Sequence, residues 1–136
     1  MVLITDLNEI KRIAREAAVV AVIGISKKTE RSSYQIANQI RNYYKTYYVN
    51  PVYADQEVFG KTIVSSLKEI SNHIDIVDVF RNPQYVGPII EEAIEIGANV
   101  VWLQPGTESQ EIIDVYKQSI DIVAHSCLGV IARCFS

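Results

Sequence analysis

The sequence is poor in cysteine, and it lacks the long apolar run that a membrane-spanning helix requires. Only two of its 136 residues are cysteines, Cys127 and Cys134. Two thiols at this spacing form neither the disulfide framework of a small secreted domain nor the ligand pattern of a zinc site. Nowhere do about 18 apolar residues follow one another, and the charged N-terminal segment does not fit a signal peptide. We expect a cytoplasmic protein with reduced cysteines and no membrane partner.

An excess of positive charge is also missing. The 13 Lys and Arg residues are outnumbered by 16 Asp and Glu residues, which gives a formal net charge of −3. Because nucleic-acid-binding domains generally carry clustered positive charge, we expect no nucleic acid partner. The two histidines, His73 and His125, stand in no pattern typical of a catalytic triad or a metal site. We therefore predict neither catalytic residues nor a metal.

The glycine-rich loops of common nucleotide-binding motifs are absent. Gly24 ends an apolar run, but Ser26 and Thr29 stand where a dinucleotide fingerprint would have its other glycines. No acidic residue that could bind a ribose lies between Glu30 and Asp55. A Walker A motif is missing as well. These absences argue against ordinary NAD binding and against a P-loop nucleotidase.

Apolar runs rich in β-branched residues alternate with segments of helical periodicity along the whole chain. This alternation predicts a parallel sheet with helices on both faces, joined by right-handed crossovers. We predict a three-layer, Rossmann-like, doubly wound α/β fold of about five strands, forming a single domain over residues 1–136 with a helix in residues 1–17 packed on it. The predicted strands are 19–25, 47–49, 74–80, 100–103 and 120–123, and the predicted helices end near residues 17, 44, 96 and 119.

Polar groups together with glycine or proline follow most of the predicted strands at their carboxyl ends, where ligands lie in such folds. The first of these loops carries cations and hydroxyls around a predicted helix start, which suits a ligand with several phosphates. Arg31 could hold a terminal phosphate with two hydrogen bonds. A solvated basic loop whose serines cap the helix is an equally good interpretation. The loop residues concerned are Ser26, Lys27, Lys28, Arg31, Ser32 and Ser33.

Two further residues have competing interpretations. We interpret Asp78, inside the third predicted strand, as a buried carboxyl satisfied by backbone or by a hydroxyl. The tyrosines at positions 43, 44, 47 and 48 predict either packing at a helix–strand junction or a patch for a homodimer or protein partner.

A series of short motifs runs in order through residues 19 to 127. They are Val22-Ile23-Gly24-Ile25-Ser26, Arg31-x-Ser33-Tyr34, Val49-Asn50-Pro51, Phe59-Gly60-Lys61, Ser66-Leu67, the stretches 75–81 and 92–98, and Val101-Trp102-Leu103-Gln104-x-Gly106. The ordered set resembles the small stand-alone coenzyme A-binding proteins of bacteria and archaea. These proteins are similar to the N-terminal Rossmann-like domain of the succinyl-CoA synthetase alpha subunit.

The resemblance implies that the ligand is coenzyme A (CoA) or an acyl-CoA, and it implies a set of binding residues. Those implied around the pyrophosphate are Gly24, Ser26 and Lys27, and Ile25 between them is also counted among the binding residues. Those implied beside the phosphates or the ribose 3′-phosphate are Arg31, Ser33 and Tyr34. Asn50 and Pro51 would flank the adenosine, Phe80 and Arg81 would lie over the crevice, and Gln104 and Gly106 would lie nearer the pantetheine arm.

The leading functional hypothesis is non-catalytic binding of CoA or acyl-CoA. An enzyme of the succinyl-CoA synthetase type needs further domains, for which a chain of 136 residues has no room. One alternative is an NADP-dependent, oxidoreductase-like protein, because Lys27, Lys28 and Arg31 would also suit a 2′-phosphate. Another is an interaction subunit that has lost its ligand. Since CoA ends in a thiol and Cys127 follows the last predicted strand, a mixed disulfide between them is a further hypothesis.

Overall fold

The computed structural model describes residues 2–135 and has a parallel, six-stranded sheet at its centre. The sheet order is β1-β8-β7-β6-β2-β3, and β4 and β5 form a separate antiparallel hairpin. The strands are β1 (Leu3–Ile4), β2 (Val19–Ile23), β3 (Lys45–Val49), β4 (Glu57–Val58), β5 (Lys61–Thr62), β6 (Ile76–Val79), β7 (Val100–Leu103) and β8 (Asp121–Val123). The helices are α1 (Leu7–Glu16), α2 (Ser32–Ile40), α3 (Val86–Glu95), α4 (Gln110–Tyr116) and α5 (Leu128–Ala132).

The order of the strands fixes where a ligand crevice can form. From β2 the chain moves through α2 to β3 at one edge, whereas from β6 it moves in the opposite direction through β7 and β8. Neighbouring strands β2 and β6 therefore flank a topological switch point, and in such sheets ligands bind outside the carboxyl ends of the strands at that point. The predicted Rossmann-like α/β fold is confirmed.

The sheet has six strands where about five were predicted. The additional strand is β1, which pairs in parallel with β8 through Leu3 and Ile4. Two residues are too few to produce a recognisable strand periodicity. Their pairing is set by the packing of the N-terminal segment rather than by a local pattern.

Both faces of the sheet are covered, which is why its strands are apolar throughout. One face carries Val20, Val22 and Trp102 and packs against α1, α2 and α5. The opposite face carries Ala21 and Ile23 and packs against α3 and α4. Fully burying one large aliphatic side chain stabilises a fold by about 1.5–3 kcal/mol, so these two cores hold the loops at the strand ends in place. Within residues 2–135, no helix combines the length and the apolar character needed to cross a membrane.

The aromatic cluster around β3 is mainly core packing. Tyr44 and Tyr48 are buried, Tyr47 is half-buried, and Tyr43 has 37% of its surface exposed. The Tyr44 hydroxyl donates a hydrogen bond of 2.5 Å to the carbonyl oxygen of Ala14 in α1. The cluster as a whole therefore cannot form an exposed patch, and the prediction of a homodimer or protein partner stays a prediction.

The ends of β2 and β6 approach each other closely at Gly24. This residue has a φ of +85°, and its amide donates a hydrogen bond of 2.8 Å to the carbonyl oxygen of Val49 at the end of β3. A Cβ atom built on Gly24 would overlap the carbonyl oxygen of Phe80, which follows β6. Backbone packing thus requires glycine at this position before any ligand is considered.

Replacing Gly24 by alanine is expected to lower the free energy of unfolding by about 2–5 kcal/mol, since left-handed strain adds to steric overlap. Gly106 provides a matched control because its φ is +95° but nothing lies within 4 Å of a Cβ built there. Gly106→Ala should introduce only the left-handed strain and lower the free energy of unfolding by about 1–2 kcal/mol. Urea unfolding of both variants tests this expectation, and equal losses would contradict the packing role of Gly24.

Candidate functional site

A cleft of about 720 Å³ opens over the switch point, at the carboxyl ends of β2, β3, β6 and β7. It lies beside the first turn of α2, and Cys127 after β8 also borders it. Most of the residues predicted for the ligand site line this cleft. They are Gly24, Ser26, Arg31, Ser33, Asn50, Phe80, Arg81, Gln104 and Gly106.

Four predicted residues do not line the cleft. Ile25 is fully buried in the core. The Nζ atom of Lys27 donates a hydrogen bond of 3.0 Å to Oε1 of Gln56. The ring of Tyr34 packs against that of Phe59, with 4.8 Å between the ring centroids. Pro51 lines a second, smaller cavity of about 280 Å³ that also contacts Gly24 and Asn50.

Several residues that line the cleft lie outside the binding set that the resemblance implies. Three of them, Lys28, Ser32 and Cys127, were named from the sequence on other grounds, as phosphate-loop candidates and as a thiol after the last strand. Ile36 lies one helical turn after Ser32 and Ser33, and this spacing could have placed it on the same face of α2. Val52 and Tyr53 follow Asn50-Pro51 in a short 3₁₀ turn, so their position depends on a turn that the sequence only suggests. The additional lining residues are Lys28, Ser32, Ile36, Val52, Tyr53, Asn82, Pro105, Thr107 and Cys127.

The predicted serine cap of α2 is wrong, because the N-cap residue is Arg31 and its side chain makes no capping hydrogen bond. The Ser33 hydroxyl lies inside the first turn and accepts a hydrogen bond of 3.1 Å from the amide of Ser26. The Ser26 hydroxyl in turn accepts a bond of 3.0 Å from the amide of Lys28. The hydroxyls thus hold the loop in shape. The first-turn amides of α2 are left without a capping side chain, which makes this helix start an anion-binding position.

The charge of the cleft is positive although the whole chain is negative. The side chains of Lys28, Arg31 and Arg81 line it, and in residues 2–135 none of them forms an ion pair. No lining residue within that range is acidic. The Arg81 guanidinium also lies over the ring of Tyr85, at 4.7 Å from its centroid. A cleft lined by cationic side chains and by no acidic ones attracts anionic ligands and raises their local concentration.

Asn50 joins two of the loops that form the cleft. Its Nδ2 atom donates a hydrogen bond of 2.8 Å to the carbonyl oxygen of Ile25, and its Oδ1 atom accepts one of 3.0 Å from the amide of Val52. Both ends of the amide are therefore used within the protein. Asn50 shapes the site by fixing the loop after β2 to the loop after β3.

A buried carboxyl lies beneath the cleft. Asp78 is completely buried in β6, and its Oδ1 atom accepts a hydrogen bond of 2.6 Å from Nε2 of Gln104. Burial raises the pKa of Asp78 to about 7, and the hydrogen bond from Gln104 opposes part of that rise. A backbone or hydroxyl partner was predicted, and this prediction is wrong. Gln104 follows the neighbouring strand β7, so only the register of the sheet brings the pair together.

Two polar atoms of this pair have no hydrogen-bond partner in the described structure. They are Oδ2 of Asp78 and Oε1 of Gln104. Because Nε2 of Gln104 is committed to Asp78, Oε1 of this cleft-lining side chain remains as a buried acceptor. Among the described residues, no group of three or more His, Cys, Asp or Glu side chains could hold a metal ion.

Comparison with known proteins gives consistent matches over nearly the whole chain. A family model described as a CoA binding domain matches residues 18–133. The uncharacterized protein YneT of Bacillus subtilis (strain 168) is 36% identical over 111 residues, which cover 81% of each chain. Two solved structures share the fold. The Thermus thermophilus protein cell-free ID.343 is 29% identical with a TM-score of 0.89, covering 97% of this chain and 100% of that one. A hypothetical protein from Pyrococcus horikoshii OT3 is 31% identical with a TM-score of 0.87, covering 96% and 92%.

The buried carboxyl predicts a specific pH dependence of stability. The folded pKa of Asp78 is about 7, whereas the ordinary value for an unfolded chain is about 3.9. The folded state therefore binds the proton more tightly, and the free energy of unfolding should fall as the pH rises from about 4 to about 7. The loss can reach about 4 kcal/mol, since each pKa unit corresponds to about 1.4 kcal/mol.

Asp78→Asn should not show this fall, because asparagine keeps an acceptor for Gln104 and carries no charge. Glu57→Gln removes an exposed carboxyl and serves as the control, whose pH profile should follow that of the unmodified protein. Urea unfolding of the three proteins at intervals from pH 4 to pH 8 provides the measurement. Equal slopes for the unmodified protein and Asp78→Asn would contradict the role assigned to this carboxyl.

Proposed function

This chain belongs to the family of CoA-binding domains, and from that premise we propose that its cleft binds coenzyme A or an acyl-CoA by the phosphate groups. In this proposal the chain is a binding module rather than a ligase. The family assignment supports CoA binding in general. The residues and the orientation of the ligand are inferred from the geometry of the cleft.

The observation that carries the proposal is the distribution of charge in the cleft. Lys28 and Arg31 flank the uncapped start of α2, and Arg81 faces them from the end of β6. CoA carries a pyrophosphate and a separate 3′-phosphate, so it needs cations at more than one point. Hydrogen bonds between such cations and phosphate are shorter and stronger than those between neutral groups. The cleft volume, about 720 Å³, falls within the usual range for small-molecule and cofactor sites.

The remaining lining residues suggest how the ligand lies. With its phosphates at the start of α2, the adenosine would lie toward Val52 and Tyr53 after β3. The pantetheine arm would then run past Phe80 toward Gln104 and Gly106. Phe80 is half-buried and offers apolar contact, while the unpartnered Oε1 of Gln104 could accept a hydrogen bond from an amide of the arm.

We propose binding rather than catalysis because two polar groups at and beneath the cleft, those of Asn50 and Asp78, serve the protein itself. Asn50 is hydrogen-bonded at both ends of its amide, and Asp78 is buried behind Gln104. The Asn50 amide is neither an acid nor a base, and the Asp78 carboxyl is buried out of reach of a reacting atom. Delivery, sensing or storage of the ligand would each suit such a module.

An NADP-binding protein is the alternative that the same cations would suit. Thermal unfolding with CoA, acetyl-CoA, NAD and NADP separates the two. A ligand present at about 100 times its dissociation constant stabilises the folded state by about 2.7 kcal/mol. We expect CoA and acetyl-CoA to raise the melting temperature at concentrations where NAD and NADP do not. Stabilisation by NADP without stabilisation by CoA would overturn the proposal, and no response to any of the four would favour an interaction subunit that has lost its ligand.

Replacing Arg31 by alanine should weaken CoA binding roughly 10- to 100-fold, since a hydrogen bond to a charged group contributes about 1.5–3 kcal/mol. Lys27→Ala is the matched control, because Lys27 belongs to the same loop but its Nζ atom is bonded to Gln56. Calorimetric titration of both variants gives the dissociation constants, and thermal unfolding shows that both remain folded. An equal loss of affinity in the two variants would contradict the placement of the phosphates beside Arg31.

A further inference from the structure

Cys127 is one of the residues that line the cleft, and its position is fixed by the fold. It is half-buried, follows β8 and borders the cleft. Nε1 of the buried Trp102 donates a hydrogen bond of 2.8 Å to the carbonyl oxygen of the neighbouring Ser126. Nε2 of Gln39 in α2 donates one of 3.1 Å to the carbonyl oxygen of Gly129 in α5. The thiol is therefore carried on backbone that is anchored on both sides.

Gln104 in the same cleft points independently to a ligand. It is 2% exposed, lines the cleft and has an Oε1 atom without a partner in the described structure. A buried acceptor without a donor destabilises the protein, and a ligand that supplies an N–H group would remove this penalty. The pantetheine arm of CoA contains amide groups a few bonds from its terminal sulfur. A ligand that satisfies Gln104 thus carries its sulfur within the cleft that Cys127 also borders.

We propose that Cys127 is a thiol–disulfide exchange site for CoA disulfide held in this cleft, an inference that rests on the proposed function. The Cys127 thiolate attacks one sulfur of the bound disulfide, and the bond between the two CoA sulfurs breaks. A new bond joins Sγ of Cys127 to one CoA, and the other CoA leaves as a thiolate that takes up a proton. Cys127 is oxidised and the departing CoA is reduced, so the disulfide is itself the oxidant.

The second cysteine of the chain separates binding from simple exposure. Cys134 is exposed and does not line the cleft, whereas Cys127 is only partly accessible. A small disulfide without affinity for the cleft should therefore react at Cys134 at least as fast as at Cys127. A disulfide held in the cleft by Lys28 and Arg31 should react at Cys127, because holding the reactants together raises their effective concentration.

The experiment measures the two exchange rates by peptide mass spectrometry on the full chain, with CoA disulfide and with hydroxyethyl disulfide. The ratio of the Cys127 rate to the Cys134 rate should be on the order of 100-fold higher with CoA disulfide. Adenosine 3′,5′-bisphosphate has phosphates but no thiol, so it should slow labelling of Cys127 and leave Cys134 unchanged. Arg31→Ala should slow the labelling of Cys127 by CoA disulfide and leave its labelling by hydroxyethyl disulfide unchanged. With CoA disulfide, the Cys134→Ser variant should still be labelled at Cys127. The Cys127→Ser variant should lose the adduct whose formation the bisphosphate slows.

A separate titration of the unmodified protein with reduced CoA, in the presence of a reductant, tests the proposed function. If reduced CoA binds and the rate ratio is the same for both disulfides, the exchange site is overturned and the binding function stands. If reduced CoA does not bind, the proposed function fails, and any adduct then reflects exposure alone. Preferential labelling of Cys127 that the bisphosphate does not slow would also overturn the inference, because the cleft would not be directing the reaction.

Discussion

The close approach of Gly24 to the Phe80 carbonyl is the constraint on which the rest of the structure depends. It brings the end of β2 against the end of β6, and the amide of Phe80 donates a hydrogen bond of 2.9 Å to the carbonyl oxygen of Ile23. The amide of Gly24 binds Val49 of β3 on the other side. Three strand ends therefore meet at one residue, and the loop that carries Lys28 and Arg31 begins directly after it.

Above that junction, hydroxyls and cations have different roles. Ser33 and Ser26 accept hydrogen bonds from the backbone and define the course of the loop. Lys28 and Arg31, which make no ion pair in the described part of the chain, are left for a ligand. This division explains how a loop without a glycine-rich fingerprint can suit a polyanion. Its shape comes from side-chain hydrogen bonds, and its attraction for anions comes from charge and from the uncapped helix start.

Local patterns predicted the fold well because each central strand is a buried, β-branched run and the intervening helices are amphipathic. They also predicted the place of the cleft, since the topology gathers the carboxyl ends of the strands, whereas the set of binding residues followed from the family resemblance. What they missed depends on partners far apart in the chain. Lys27 donates a hydrogen bond to Gln56, and Asp78 accepts one from Gln104. The Ser33 hydroxyl accepts one from the amide of Ser26 rather than from an amide of its own helix. Loop residues have several available partners, and only the packed sheet selects one of them.

The Asp78–Gln104 pair shows how the core supports the cleft at the expense of stability. In the sheet register, Asp78 lies between Val22 and Trp102, where an apolar residue would pack without a desolvation penalty. The carboxyl instead holds Nε2 of Gln104, and this orientation leaves Oε1 as a buried acceptor in the cleft. The buried carboxyl lowers the stability of the core while it orients one amide. A contact between that amide and a ligand would explain this arrangement. The buried carboxyl and the unpartnered oxygen therefore have one explanation, and both support a ligand arm that passes over Gln104.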